Sequence, residues 1–229
     1  MSSVWDLVDR ESEKHCMEKV TEWKYLRDIV QSNSKCDANI KNRVSKGIGA
    51  ANQVMQMSRD LCLGNFFFEG ALILRNALFL SSLISNSEAW VNLTEKNLAD
   101  LEAADEQLLR DILYAHTKTA KELHYLDTGA LPVRYVILSR RLNFLHYILC
   151  KNEDTLLRKF FEAQCVHPIK GDWASTVTKD LESVGLKMSF EEIRNCSKDI
   201  FKETVKKAVR SKAFRSLIEA KETQPAFSN

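Results

Sequence analysis

The chain has 229 residues, of which 45% are hydrophobic and 28% charged, with only three prolines and seven glycines. That length supports a sizeable buried core, and the balance excludes both a disordered chain and a turn-rich β fold. A formal net charge of +2 excludes a global attraction to polyanions, so any nucleic-acid affinity must come from local clusters.

Residues 1–20 are charged, with Val4, Trp5, Leu7 and Val8 forming a short amphipathic start. Trp23, Tyr25, Leu26, Ile29 and Val30 favour β structure, and Gln31-Ser32-Asn33-Ser34 reads as a turn, which predicts a short strand or hairpin over residues 20–32. From Asp37, a predicted N-cap, a helix runs towards Arg59 with Ile40, Val44, Ile48, Ala51 and Met55 on its apolar face. Gly47 and Gly49 within it call for a kink or a close approach by another element, and Gly64 ends the section. Phe66 to Ser85 is the most apolar stretch, but Glu69 and Arg75 inside it favour a buried helix over a membrane span. These two charges are not at a pairing interval, so each needs a partner elsewhere.

Thr94 caps a predicted helix carrying Leu98, Leu101, Leu108, Leu109 and Ile112, with Asp100, Glu102, Asp105, Glu106 and Asp111 on a solvated side. Thr119-Ala120-Lys121-Glu122 reads as a capping box for a short helix ending by Gly129. Pro132 then suits the first position of a central helix running to Leu149. The apolar arc of that helix is wide, and Arg134, Arg140 and Arg141 interrupt it. They need solvent, an acidic neighbour or an anion. Leu156, Leu157, Phe160 and Phe161 mark a further helix, as does Trp173 to Val184, ended by Gly185. A second capping box, Ser189 to Glu192, precedes helical sequence to about Lys221. The expected fold is mainly α, a multi-helix domain with one short β hairpin. Its parts are an N-terminal segment over residues 1–36, a helical core over 37–165 and a C-terminal helical segment over 166–229.

Nucleotide-binding glycine loops, serine-hydrolase elbows and HExxH metal motifs are absent, so no cofactor, metal or catalytic residue is expected. The cysteines Cys16, Cys36, Cys62, Cys150, Cys165 and Cys196 are scattered without a CxxC pair. The N-terminus lacks a secretory apolar run, so they read as reduced, mostly buried thiols of an intracellular protein, cytoplasmic or nuclear. His146 and Cys150 share a helix face, with Cys165 and His167 in the next connection, but the spacing is not that of zinc sites and the expected reading is core packing.

Charge is uneven. Residues 94–128 carry four Lys and Arg against eight Asp and Glu, residues 129–170 seven against three, and residues 198–229 eight against four. The most ordered basic feature is Lys198, Lys202, Lys206 and Arg210, four apart on one helix side and widened by Lys207, while Phe201 and Val205 face elsewhere. Such a ladder either tracks phosphates or is a solvated helix face.

Several separated elements resemble non-LTR (LINE-like) retrotransposon reverse transcriptases. Tyr25-Leu26-Arg27-Asp28-Ile29 is similar to the family's YLGDI segment. Arg75-Asn76, Asn86-Ser87-Glu88-Ala89-Trp90 and Leu101-Glu102 with Asp105 and Leu108-Leu109-Arg110 follow in the family's order. The longest match is Gly129, Pro132 and Arg134 followed by Arg140-Arg141-Leu142-Asn143-Phe144-Leu145-His146-Tyr147-Ile148-Leu149. The likeness runs from about Cys16 to Leu217.

The resemblance implies the region after the catalytic palm: the primer-grip strand, the thumb and the segment beyond. The palm's paired aspartates are not among these residues, so the chain is not expected to polymerise alone. Its implied activity is sequence-independent contact with RNA or an RNA–DNA duplex through Arg43, Lys46, Arg140, Arg141, Lys198, Lys202, Lys206, Lys207 and Arg210. For Arg140 and Arg141 the rival role is pairing with the acidic helix around Asp105. Arg27 replaces the family's glycine and would obstruct a close backbone approach. A helical protein-interaction module is the alternative expectation. No membrane partner is expected, whereas self-association is, through a face the missing palm would otherwise cover.

Overall fold

The computed structural model describes residues 20–25, 28–33, 35–60 and 67–222. The amphipathic start, Cys16, Arg27, Cys62, Gly64 and residues 223–229 lie outside them. Strands β1 (Glu22–Tyr25) and β2 (Asp28–Gln31) pair antiparallel, with Trp23 opposite Val30 and Tyr25 opposite Asp28. The YLGDI-like segment is therefore split between two strands rather than being one. An isolated hairpin is marginal in water. This one is tied to the first helix by Arg43, whose Nε donates to Asp28 Oδ1 at 3.0 Å, and by Asn39, whose Oδ1 accepts from the Ile29 N–H at 3.1 Å. Asn86 Nδ2 also donates to Asp28 Oδ2, at 2.6 Å.

Helix α1 (Asp37–Asp60) starts one residue earlier than predicted, because the Cys36 carbonyl accepts the first helical bond from Ile40. Asp37 instead accepts from Asn97 Nδ2 at 2.9 Å. The inward face is also rotated: Ile40, Arg43, Gly47, Ala50 and Val54 are buried, while Ile48 is exposed. Gly47 explains the rotation, since a Cβ there would lie 2.7 Å from Leu83 Cδ1. The glycine lets another helix approach closely, and Gly49 meets nothing.

The apolar stretch forms α2 (Phe67–Leu74), a π-helical turn over Arg75–Phe79, and α3 (Leu80–Leu83). No described helix is long and apolar enough to cross a membrane. The π turn buries both Arg75 and Phe79. In α4 (Glu95–Leu113) the Thr94 cap is as expected, reciprocated by Asn97. The acidic side is not all solvated, however: Asp105 is fully buried and accepts from Arg75 Nε at 2.7 Å and Nη2 at 2.6 Å. The Tyr125 hydroxyl of α5 (Lys121–Thr128) donates to the same carboxylate at 3.1 Å. Thr119 does not cap α5. Ala120 occupies the cap position without a side-chain bond, while the Thr119 N–H turns back to the His116 carbonyl.

Central helix α6 (Val133–Leu149) starts just after Pro132, which sits at the cap with extended ψ. The next helices are α7 (Leu156–Val166), α8 (Trp173–Ser183), α9 (Phe190–Asn195) and α10 (Lys198–Glu222). The Ser189–Glu192 capping box is present in full. Two cores meet along α6. Val133 and Ile137 join the core of α1, α2, α3 and α4. Leu142, Leu145, Ile148 and Leu149 join Phe161, Val177, Leu181, Ile193 and the α10 seam of Phe201, Val205, Val209 and Ala213. Leu109, Tyr125 and Leu217 link α4, α5 and α10. Arg141 on α6 pairs with Asp180 on α8 at 2.9 Å, and Arg134 grips Glu102 on α4 at 2.5 and 3.0 Å.

Two outcomes follow from the buried pairs. Asp105→Asn or Arg75→Met leaves the remaining charge buried without its partner and should destabilise the fold by about 3–5 kcal/mol, read as a lowered urea midpoint. A double Arg75→Met, Asp105→Leu variant should recover part of that loss. For Asp180, burial outweighs the Arg141 attraction and holds the carboxyl above its ordinary value of 3.8. The folded chain therefore binds this proton more readily than the unfolded chain. Stability from this group is greatest below pH 3.8 and falls as pH rises through the raised value. The urea midpoint of the native chain relative to that of Asp180→Asn should therefore fall as pH rises through the mildly acid range.

Candidate nucleic-acid interface

The expected basic residues divide into those the fold consumes and those it presents. Arg43 is 2% exposed and held by Asp28, with its Nη1 donating to the Ser82 carbonyl at 3.5 Å. Its charge is spent on docking the hairpin. Arg141 is likewise buried against Asp180. Neither Arg140 nor Arg141 reaches Asp105, whose partner is Arg75. That rival pairing is therefore corrected in its residues, since Arg141 pairs with a carboxylate of α8 instead. Lys46 is half-buried on α1 and is not among the residues that line the groove described next.

Arg140 differs from its neighbour. Its Nη1 donates to the Ile84 carbonyl at 2.6 Å, and no carboxylate among the described residues lies within ion-pair distance. Burial lowers the readiness of its guanidinium to stay charged and Glu88 opposes that effect, yet an arginine this far above neutrality remains cationic. Across a groove from it, the first turns of α10 present Lys198 and Lys202, both exposed. The groove has a volume of about 860 Å³, and its floor includes Asn143, Phe144 and Tyr147 of α6. Glu88 also lines it, which tempers the positive charge.

The aromatic component is ordered. Phe144 and Tyr147 stack at 5.8 Å between centroids, the Phe144 ring is set edge-on against Trp173, and Lys151 Nζ lies 4.3 Å over the Tyr147 ring. Trp173 is fixed in turn by its Nε1 donating to the Glu88 carbonyl at 2.8 Å. Tyr147 is 48% exposed and lines the groove with Arg140, Lys198 and Lys202, its ring flanked by Phe144 and Lys151. The groove thus sets three cations beside a half-exposed aromatic side chain.

The rest of the stripe continues outside the groove. Lys206, Lys207 and Arg210 are exposed on α10. Lys206 pairs loosely with Glu203 at 3.3 Å, and the Arg210 guanidinium lies 5.9 Å from the Phe214 ring centre. The stripe arises because Phe201, Val205, Val209 and Ala213 form the inward seam, so the lysines one position on stay at its flank.

Asn143, Tyr147 and Lys151 were not singled out from the sequence. The signal lies in the spacing of Asn143 and Tyr147 from Arg140, which places them along one face of α6, with Lys151 just beyond the helix end. The thiols also depart from expectation: Cys150 and Cys165 are exposed and Cys36 and Cys196 half-buried, so none of the four described is a core residue. Among the described residues no group of three His, Cys, Asp or Glu is arranged to hold a metal ion. Comparison with protein-family models, with curated proteins and with solved structures finds no match to this chain, so the retrotransposon likeness rests on the quoted residues alone.

Proposed function

We propose that the protein binds RNA or an RNA–DNA duplex through the nucleic-acid backbone, without sequence preference, and that its helices correspond to the post-palm thumb region of a non-LTR retrotransposon reverse transcriptase. The observation that carries this reading is the groove between α6 and α10, which Arg140, Lys198 and Lys202 line together with the half-exposed Tyr147. Phosphates would meet the three cations, and Lys206, Lys207 and Arg210 would extend the contact along α10. Nucleotide addition would depend on metal-binding carboxylates outside these residues, so no polymerase activity is assigned to them alone.

A second reading, a helical interaction module, draws on a different face. On and just after α7, Leu156, Phe160, Val166 and Ile169 are each more than 60% exposed. Exposed apolar side chains of this kind are where proteins associate.

Fluorescence anisotropy with a labelled RNA–DNA primer duplex separates the readings. Three or four phosphate contacts predict an affinity loss on the order of 10–100-fold between roughly 50 and 200 mM salt. Lys202→Ala should weaken binding and reduce the logarithmic salt slope by about one, and Lys198→Ala should do the same. No binding at low salt would sink the nucleic-acid reading and leave the interaction-module reading.

A further inference from the structure

A second charged cleft, sharing no lining residue with the groove, lies where α6 meets α4, α8 and α10. Arg134 and Arg141 of α6 and Lys212 of α10 line it, against the single carboxylate of Asp180 on α8. Leu93, Leu98, Ile137 and Leu138 form the apolar part of its wall, and its volume is about 270 Å³. Three arginines of this chain pair by one pattern. Arg43, Arg75 and Arg134 each present both Nε and Nη2 to a carboxylate, that of Asp28, Asp105 and Glu102 respectively. Arg141 departs from it. Its Nη1 donates to Asp180 Oδ2 at 2.9 Å, while its Nε is buried and meets no acceptor among the described residues. A buried donor on a charged group is costly to leave without an acceptor. Lys212 adds to the positive surplus. It is half-buried, acts on Asp180 through its charge, and makes no ion pair among the described residues.

Arg134 is already held by Glu102, and Asp180 serves Arg141 and Lys212 together. The cleft is therefore one positive charge in excess, which suits a monoanion rather than a polyphosphate. A hydrated inorganic anion would lose water against the leucine and isoleucine wall without compensation. An organic acid would instead place hydrocarbon there and gain from burying it. A dry cavity of about 150 Å³ holds a benzene ring, so this cleft has room for a ring-sized body and its acid group. We propose that the cleft binds a small apolar monocarboxylate, its carboxylate on the unengaged edge of Arg141 beside Lys212 and its hydrocarbon against Leu98 and Leu138. The ligand would complete at Arg141 the fork-shaped pairing that the other three arginines make within the chain. Because the two clefts share no residue, this site does not rest on the nucleic-acid reading.

Benzoate is a suitable probe, with benzyl alcohol as its neutral counterpart. The full chain, labelled at its leucine and isoleucine methyl groups, would be titrated with each and followed by NMR. Benzoate should shift the Leu98, Ile137 and Leu138 methyl signals and show nuclear Overhauser contacts to them. Its affinity should exceed that of benzyl alcohol by about tenfold or more, as a hydrogen bond to a charged group permits. Lys212→Met keeps the apolar stem and removes the charge. It should weaken benzoate by about tenfold and leave benzyl alcohol unchanged. Arg141→Lys, which keeps a cation for Asp180 but removes the fork, should weaken benzoate as well. Because Arg141 is buried, the Lys212 variant and the comparison of the two ligands decide the matter if that variant unfolds. No methyl shifts at millimolar benzoate, shifts confined to methyl groups elsewhere, or equal affinity for the two ligands would overturn the proposal. So would indifference to Lys212→Met, or displacement of benzoate by an equal concentration of inorganic phosphate.

Discussion

Two full charges, Arg75 and Asp105, lie inside the protein with almost no access to water. Removing such ions from water is costly, and only close pairing with additional hydrogen bonds offsets it. The surroundings supply these. Both carboxylate oxygens accept from the guanidinium, Tyr125 adds its hydroxyl, and Arg75 also reaches the Leu131 carbonyl and Asn76. The pair thereby fixes the turn before α6, the position of α5, and the register of α4 against the α2–α3 helix. Burial and the nearby Asp105 charge hold the Tyr125 phenol well above its usual value, which keeps it a proton donor to the carboxylate. The π turn at Arg75 is the local backbone adjustment that accompanies this inward charge.

Helix α6 inherits its position from that junction and transmits it. One end packs in the core of α1, α2, α3 and α4, the other against α7, α8, α9 and α10. With apolar contacts on nearly every side, its polar residues have few exits. Arg134 leaves towards α4 and Arg141 towards α8, each meeting a carboxylate. The hydrogen bond to Glu102 is the main reason Arg134 holds its proton more tightly than usual. Arg140 emerges on the remaining open side, where α10 faces it across the groove. The candidate interface is thus what is left after the core and the ion pairs have claimed the other directions.

This division also separates the roles of two neighbouring arginines. A one-residue step on a helix rotates the side chain by roughly 100°, which takes Arg141 into the interior and leaves Arg140 at the groove. The same geometry puts Lys202 one position after the seam residue Phe201 and Lys198 one turn before Lys202, near enough to line the groove while staying solvated. Cys150 and His146 share that neighbourhood because they are one turn apart at the end of α6.

The helical class, the hairpin near residues 20–32, the Thr94 and Ser189 caps, the extent of α8 and the C-terminal end of α10 are local properties, set by periodicity, β-branched and aromatic content, and capping chemistry. The sequence alone determined them for that reason. It also showed that Arg75 required a distant partner, since no carboxylate stands at helical pairing distance. Only the tertiary structure decided that the partner is Asp105. A residue within an otherwise solvated acidic run becomes buried solely because another helix packs on that side. Partner choice likewise took Arg43 and Arg141 out of the candidate interface, rotated the inward face of α1 about Gly47, and assembled Arg140, Tyr147, Lys198 and Lys202 from distant parts of the chain. Those outcomes depend on contacts between helices, which local sequence preferences do not encode.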